Sequence, residues 1–313
     1  MNVLSLFDGI SCGRVALERA GIKVDNYFSS EIDQKAIAIS ERNYSDIIRL
    51  ADINNNESWE LPKIDLVIGG SPCQGFSRNG KMLNFDDPRS KLFFEFVKVK
   101  DRIKENNPNA LFMLENVEMK KEWSAVITQY VKEEQRLINS NVLSAQNRPR
   151  LYWTDIQIAE IIDKEVVLLD ILQDVNTENY IKQNGIWFDP GIDEKARALV
   201  SVENGEVRVR QATKKGYIVA ENGDGVNLQF PTSKTRRGRV IKQKSPTLDC
   251  QCEVCVYYDG MIRKLTIREL ERLQTLPEGY TDGATEKDAK KAIGNGWTAE
   301  VITHIFRGIK EVQ

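Results

Sequence analysis

The chain has 313 residues, of which 41% are hydrophobic and 29% charged, a composition typical of a soluble globular protein with one large or two unequal domains. No apolar run reaches the roughly 18 residues that cross a membrane, and the N-terminus lacks the basic stretch of a signal peptide, so we expect a cytoplasmic protein that does not bind membranes. The net charge of −2 argues against a broadly basic nucleic-acid-binding protein, although residues 232–244 hold six basic residues and no acid.

The first 155 residues alternate short apolar strands with helical patterns. The patterns predict strands over residues 3–7, 27–30, 65–68, 110–114 and 151–153, and helices over residues 13–20, 33–43, 91–105 and 124–137. This alternation predicts an α/β fold with a doubly wound sheet, in which ligands bind at the carboxyl ends of the strands.

After about residue 160 the chain becomes rich in glycine, asparagine, threonine and charged residues, with short strand-like runs between turns. This change of composition predicts a second, smaller and irregular domain. Helical patterns return over residues 266–274 and 298–310.

A glycine turn follows the first predicted strand, in the segment LSLFDGISCG at residues 4–13. Such a turn brings backbone N–H groups and a helix N-terminus against a ligand, although a plain strand-to-helix turn has the same sequence features. Glu31 and Asp52 follow the next strand ends, where carboxylates accept hydrogen bonds from ribose hydroxyls or an exocyclic amine. Each acid alone is consistent with a solvated strand end, but the three features together predict a nucleoside pocket.

A thiol follows the third predicted strand, where Cys73 lies in the segment DLVIGGSPCQGFS. A buried structural cysteine is the commoner fate of a free thiol, but glycine and proline on both sides argue against burial within regular structure. The polar, glycine-containing residues 74–90 come next, and such a loop beside a thiol is typical of an active site.

Further polar side chains occupy three later motifs. Glu115 comes just past an apolar strand in FMLENV, where a carboxyl group can hold or donate a proton, or is simply solvated. Arg148 and Arg150 alternate in QNRPR, so both side chains point to one side of an extended segment, unless they are ordinary surface arginines. The GNGWT motif at residues 294–298 opens the last helix with a second glycine turn.

Histidine and cysteine content limits the chemistry further. His304 is the one histidine, so a Cys–His or Ser–His hydrolase would have to use it, and histidine-rich zinc sites are excluded. Five cysteines at irregular spacing predict free thiols rather than disulfides. The spacing of Cys250, Cys252 and Cys255 resembles half of a zinc site, but no fourth ligand lies nearby in sequence. We therefore interpret Cys250 and Cys252 as alternating on a structural strand that begins at SPTLD.

The order of these motifs resembles that of the cytosine-5 DNA methyltransferases. The matching segments are LSLFDGISCG, Glu31, Asp52, GGSPCQGFS, LENV, QNRPR, RGRVIKQKSPTL and GNGWT, which cover the whole chain except the irregular middle. LFDGI and KLFFEF are similar to the mammalian de novo enzymes, whereas QNRPR and SPTL are similar to bacterial and phage enzymes and favour a prokaryotic or phage origin. The CFT tripeptide of the related tRNA methyltransferases does not follow the catalytic motifs, which favours DNA over RNA.

The resemblance implies a fold and a domain organisation. The fold would be α/β, with a doubly wound Rossmann-like methyltransferase sheet and a smaller irregular target-recognition domain. Residues 1–160 and 280–313 would form the catalytic domain, which binds S-adenosylmethionine, and residues 161–279 the target-recognition domain. Double-stranded DNA would be the substrate, a restriction endonuclease a further partner, and no metal is expected.

The resemblance also implies roles for individual residues. Cys73 would attack C6 of a flipped-out cytosine, Glu115 would contact N3 and the amine, and Arg148 and Arg150 would line the base pocket. The residues implied in cofactor binding are Phe7, Asp8, Gly9, Ile10, Glu31, Ile32, Asp52, Ile53, Pro72, Leu92, Asn295 and Thr298. The residues implied in DNA binding are Gln74, Ser77, Arg78, Asn79, Arg236, Arg237 and Arg239.

Two alternatives remain open from the sequence. One is a catalytically silent relative that binds DNA or a partner, and the other is a nucleotide-dependent thiol enzyme of different chemistry. The intact Cys73, Glu115 and Arg150 argue against a silent relative.

Overall fold

The computed structural model describes residues 1–71 and 88–311, and the side chains of residues 1–71 and 91–309. Several predicted site residues lie outside the described residues: Pro72, Cys73, Gln74, Ser77, Arg78 and Asn79. The predicted active-site loop at residues 74–90 lies outside them as well, except for the first turn of a helix at its end.

In the part of the chain that is described, residues 2–154 contribute a seven-stranded mixed sheet, and this sheet is the centre of what we call the first unit. Its strands are β1 (Asn2–Leu6), β2 (Asn26–Ser30), β3 (Ile48–Arg49), β4 (Leu66–Gly69), β5 (Leu111–Val117), β6 (Gln135–Asn139) and β7 (Pro149–Thr154). The strand order is β3-β2-β1-β4-β5-β7-β6, in which β1 to β5 are parallel and β7 is antiparallel to both β5 and β6. The predicted doubly wound α/β sheet is confirmed, with an antiparallel edge added.

Helices cover both faces of this sheet, and its strands are therefore apolar on both sides. The first four helices are α1 (Cys12–Arg19), α2 (Gln34–Asn43), α3 (Pro88–Asn106) and α4 (Lys121–Val131). Leu4 packs on one face with Phe96 of α3, whereas its neighbour Val3 packs on the other face with Ala16 of α1. The helix predicted to continue to residue 137 ends earlier, because Lys132 takes a left-handed conformation and Gln135–Asn139 pairs with β7.

The second unit is more regular than its composition suggests. It contains α5 (Glu194–Arg197) and the strands β8 (Ile181–Gln183), β9 (Ile186–Phe188), β10 (Val200–Glu203), β11 (Glu206–Arg210), β12 (Tyr217–Ala220), β13 (Gly225–Val226), β14 (Val240–Ile241), β15 (Cys255–Tyr258) and β16 (Met261–Lys264). These strands form two sheets, β10-β11-β12 and β14-β13-β15-β16-β9-β8, over a shared core that includes Phe188, Val209 and Ile262. Strands of two to five residues separated by turns explain why the sequence looks irregular.

The predicted strand through Cys250 and Cys252 is wrong. Cys252 has a left-handed backbone conformation, with φ of 49°, and the neighbouring residues form a turn. The strand β15 begins only at Cys255, so the three thiols do not share one strand.

The last helices return the chain to the first unit. They are α6 (Ile267–Leu273), α7 (Glu286–Asn295) and α8 (Ala299–Arg307). Although α6 falls within the predicted target-recognition range, its Leu270 and Leu273 pack in one buried cluster with Val15 of α1 and Ile293 of α7. Among the described residues, no helix has both the length and the apolar character needed to span a membrane.

Candidate active site at the carboxyl ends of the strands

The parallel pairing of β1 to β5 brings the carboxyl ends of these strands to one edge of the sheet. Four features follow strands at this edge: the turn after β1, Glu31, Asp52 and Ser71. Glu115 lies near the end of β5. The structure therefore brings together the described strand-end residues that the sequence predicts as a site.

The turn after β1 has an uncommon backbone. Phe7, Gly9 and Ser11 all have left-handed φ angles, between 56° and 62°. The carboxylate of Asp8 is buried beneath this turn and accepts hydrogen bonds of 2.5–2.9 Å from the hydroxyl groups of Ser5, Ser11, Tyr27 and Ser29. Asp8 thus faces the protein interior and fixes the turn from below, where the sequence predicts a cofactor contact.

Glu31 and Asp52 both accept hydrogen bonds from the backbone around them. Oε2 of Glu31 is 2.8 Å from the Gly9 amide nitrogen, and its Oε1 accepts from the amides of Ile32 and Asp33. Oδ1 of Asp52 is 2.9 Å from the Asn54 amide and caps a short 3-10 helix. Glu31 therefore links the end of β2 to the turn after β1, and the Ile32 side chain beside it is 67% exposed.

Other predicted cofactor residues are turned away from the surface. The side chains of Ile10 and Ile53 are buried in two different hydrophobic clusters. Leu92 is half-buried against the cluster that contains Ile53. Thr298 is buried and donates to Gln274 Oε1 at 2.8 Å, whereas Asn295 is exposed and accepts from the Cys250 thiol. The buried side chains of Ile10, Ile53 and Thr298 stabilise the site rather than line it.

Both carboxylate oxygens of Glu115 are held by side chains. Oε1 lies 3.0 Å from Nε of Arg150 on the neighbouring strand β7, and Oε2 accepts a hydrogen bond of 3.2 Å from the Trp297 indole. A Cβ atom on Gly70 would lie 3.0 Å from both Glu115 Oε2 and Trp297 Nε1, so a larger residue there would press on both side chains. The sequence predicts Glu115 and Arg150 as site residues, but it marks Trp297, which is 182 residues from Glu115, only as a member of the GNGWT motif.

Arg148 has different contacts from those predicted. Its guanidinium group is buried and donates to the backbone carbonyl groups of Leu248, Gly294 and Gly296, at 2.8–3.0 Å. Burial, together with the nearby charge of Arg150, lowers the pKa of Arg148 to about 10. Because its guanidinium donors are bonded to these carbonyl groups, Arg148 holds the GNGWT turn in place. The sequence predicts a contact with the base instead.

A sequence model of the family described as C-5 cytosine-specific DNA methylase matches residues 1–311. The chain belongs to this family. It is therefore a DNA cytosine-5-methyltransferase, and members of the family take their methyl group from S-adenosylmethionine, as the motif order predicts.

Individual relatives agree with this assignment. The chain is 29% identical to the type II methyltransferase M1.ScrFI of Lactococcus lactis subsp. cremoris, over 99% of this chain and 78% of the relative. It is 26% identical to M.FnuDI of Fusobacterium nucleatum, over 99% and 94% of the two chains. Among solved structures, Dnmt2 of S. pombe superposes with a TM-score of 0.65 at 17% identity, over 100% of this chain and 99% of that one.

A putative DNA modification methyltransferase encoded within an E. coli prophage superposes with a TM-score of 0.64 at 21% identity, over 99% of each chain. At these identities the two solved structures show that the fold is shared. The α/β fold predicted for the methyltransferase is thus confirmed.

Two glutamines of the methyltransferase complete the support of the GNGWT turn. Gln146 donates to Gln274 Oε1 at 3.1 Å, and Gln274 donates to the carbonyl groups of Ile293 and Gly296 at 2.8 and 3.0 Å. Gln146 belongs to the QNRPR motif, which is its only sequence signal. Gln274 has no signal of its own, because a glutamine at the end of a helix is usually solvated.

Half of the basic run at residues 234–244 is structural. Arg239 is 1% exposed, Lys242 bonds to Asp224, and Lys244 bonds to the backbone carbonyl groups of Asn141, Ser144 and Val166. The prediction that Arg239 contacts DNA is therefore wrong, since its guanidinium lies inside the protein. Arg236 and Arg237 remain at the surface of the described unit, where Arg236 is partly exposed and Arg237 is exposed.

No cluster of three or more histidine, cysteine or acidic side chains suited to a metal ion occurs among the residues described. Cys250 is exposed, whereas Cys252 and Cys255 are buried.

Proposed function

We propose that this methyltransferase methylates C5 of a cytosine that is flipped out of duplex DNA, through a transient bond between Cys73 and the cytosine C6. The observation that carries the proposal is the Glu115 carboxylate, which Arg150 and Trp297 hold at the carboxyl end of β5. Strand β4, which leads in sequence to Cys73, pairs with β5 directly. A base held by Glu115 would thus lie beside the strand that leads in sequence to the thiol.

The chain's strand ends fit S-adenosylmethionine, which supplies an electrophilic methyl group. The left-handed turn at Phe7 and Gly9 leaves room for a close approach, since a Cβ on Gly9 would meet nothing within 4 Å. Glu31 lies where ribose hydroxyls bind in sheets of this topology, and Asp52 ends the next strand. Ile32 offers an exposed apolar surface for a purine ring.

Replacing Asp8 by alanine is expected to weaken S-adenosylmethionine binding by about tenfold or more, because four buried hydroxyl groups lose their common acceptor and the turn loses its shape. Isothermal titration calorimetry measures the Kd. Asp8→Asn keeps one acceptor oxygen and should give an intermediate Kd. A Kd for Asp8→Ala within twofold of the wild type would show that Asp8 does not shape the cofactor site.

The chain's own groups supply the rest of the chemistry. Cytosine C5 is a poor nucleophile until the Cys73 thiolate adds to C6, which breaks the aromatic system and makes C5 electron-rich. Glu115 in its protonated form donates to N3, and Arg150 places a positive charge near O2, so both stabilise the charge that develops on the ring. Once C5 is methylated, its proton passes to a bound water and the N3 proton returns to Glu115, so that the C5–C6 double bond re-forms and Cys73 leaves as a thiolate.

The remaining predicted residues have roles on the DNA. Flipping a cytosine costs a few kcal/mol of stacking and pairing. We propose that Gln74, Ser77, Arg78 and Asn79 contact the duplex around the extruded base, and that residues 161–279 include the domain that recognises the target sequence. The relatives named above are type II methyltransferases, so we also propose a restriction endonuclease as a partner in a prokaryotic or phage-infected cytoplasm.

Covalent trapping tests the proposal. Bisulfite sequencing of DNA from cells that express the enzyme first identifies the target, and a synthetic duplex then carries 5-fluorocytosine at that position. Because fluorine cannot leave as a proton does, the adduct should persist through denaturation, and peptide mass spectrometry should locate it on Cys73. An adduct on another residue would overturn the proposed role of Cys73. Methylation of RNA but not of DNA would overturn the proposal that duplex DNA is the substrate.

A further inference from the structure

An aromatic side chain stands out on the surface of the second unit. Phe230 lies in the connection between β13 and β14, at one edge of the six-stranded sheet, and is 64% exposed. Its φ angle of 53° is unfavourable for a bulky residue that is not glycine. An exposed aromatic ring in a strained conformation persists only where neighbouring contacts fix it, and such residues cluster at functional sites.

Arg239 supplies those contacts. Its guanidinium donates to the carbonyl groups of Asn227 and Gln229 at 3.1 and 2.9 Å, and to that of Phe230 itself at 3.0 Å. Three charge-assisted bonds from one buried side chain hold the loop in a single shape. Phe230 is therefore presented to a ligand without the ordering cost that a mobile loop would add to binding.

The loop around Phe230 is basic. The Arg236 guanidinium lies 5.1 Å from the centre of the Phe230 ring, and Lys234 and Arg237 are exposed nearby in sequence. Residues 227–248 contain no acid, and within the described ranges no carboxylate forms an ion pair with Lys234, Arg236 or Arg237. Positive charges without compensating acids favour a polyanion over a protein surface of mixed charge.

The same loop is linked to the active site. Gln229 donates to the Asp249 carboxylate at 3.1 Å, and the Asp249 carbonyl oxygen is so close to Gly294 that a Cβ there would lie 2.0 Å away. Gly294 belongs to the turn that carries Trp297, the partner of Glu115. Glu115 is thus connected to the Phe230 loop through a short series of direct contacts.

We propose that Phe230 is a specificity-determining residue, which makes an apolar contact with a base pair next to the target cytosine. In this proposal, Arg236 and Arg237 contact the DNA phosphates, and Arg239 is a positioning residue that holds Phe230 in place. Phenylalanine makes such contacts with base edges or between base steps, whereas phosphate contacts set affinity and register. The inference rests on the proposed function, because it needs duplex DNA as the substrate.

The test compares two exposed aromatic residues of the same unit. Phe230→Ala should alter the bases preferred beside the methylated cytosine and lower kcat/KM on the best wild-type target by about 10- to 100-fold. Trp187 is the matched control, because it also carries a cation over its ring, Lys182 at 5.3 Å, but lies on β9 towards the opposite edge of the sheet. Trp187→Ala should keep the wild-type preference. Each enzyme methylates a pool of randomised duplexes, which bisulfite sequencing then reads.

The outcomes separate this inference from the proposed function. If wild type and Phe230→Ala methylate the same sequence contexts, Phe230 does not determine specificity, whatever the rates. The same conclusion follows if Trp187→Ala changes the context as much as Phe230→Ala does. If the wild type methylates no duplex in the pool, the proposed function fails and this inference fails with it.

Discussion

Glu115→Gln is expected to lower kcat for DNA methylation by a factor of about 10²–10³, the range seen when one preorganised group that stabilises developing charge is removed. Glutamine keeps the size of the side chain and can still bond to Arg150 or Trp297, but it has no proton to transfer to N3 of the base. Because the same side chain also holds the base in place, a smaller rise in KM for DNA should accompany the loss of kcat. Steady-state transfer of labelled methyl groups from S-adenosylmethionine to duplex DNA measures both constants.

Two further variants bracket this result. Trp297→Phe removes the indole donor and one ring of the side chain, and the loss of the hydrogen bond, worth ~0.5–1.5 kcal/mol, should lower kcat by up to about tenfold with KM unchanged. Glu118→Gln changes an exposed acid shortly after β5 and should leave both constants as in the wild type. A Glu115→Gln enzyme that keeps more than a tenth of wild-type kcat would exclude Glu115 as the group that activates the base.

Among the substitutions considered, Arg263→Leu is expected to cause the largest loss of stability, about 3–5 kcal/mol in the free energy of unfolding. The Arg263 guanidinium and the Glu269 carboxylate form two parallel bonds of 2.8 and 2.7 Å, and these side chains are 1% and 0% exposed. Without the arginine, a charged carboxylate would stay buried without its partner. Because Arg263 lies on β16 and Glu269 on α6, the variant should also loosen the joint between the two units. Urea unfolding followed by circular dichroism gives the free energy.

The double variant Arg263→Leu/Glu269→Leu is the informative comparison. It removes the unpaired charge and should regain part of the lost stability, although the Thr266 amide then loses the Glu269 carboxylate that caps it. Lys98→Met breaks a solvent-exposed ion pair with Glu57 and should leave the urea midpoint unchanged. Equal unfolding free energies for Arg263→Leu and the wild type would mean that the buried pair does not hold the units together.

The strand-end site could be predicted from the sequence because parallel strands gather their carboxyl ends at one edge. Glu31, Asp52 and Glu115 each follow or end an apolar run, and a pattern of that kind is visible without coordinates. The alternation of strands and helices was equally visible as far as β5, and it predicts the doubly wound sheet. The hairpin of β6 and β7 was missed because a short apolar run at residues 135–139 fits a helix as well as a strand.

The roles of the arginines could not be predicted in the same way. Four of them occur in basic or polar segments: Arg148, Arg150, Arg236 and Arg239. Nevertheless, Arg148 and Arg239 bond mainly to backbone carbonyl groups inside the protein. Those carbonyl groups come from residues whose identity is irrelevant to the bond, so no sequence pattern marks them. Trp297 was overlooked for a related reason, since its partner is decided by how α7 and α8 pack.

The contact between Glu115 and Trp297 also has a consequence for biosynthesis. A ribosome makes residue 115 well before residue 297, so the growing chain holds the Glu115 carboxyl group before its second anchor exists. Contacts between residues so distant in the chain form late, because a long loop must close first. The Glu115 carboxylate therefore gains its second anchor only after the last helices have docked.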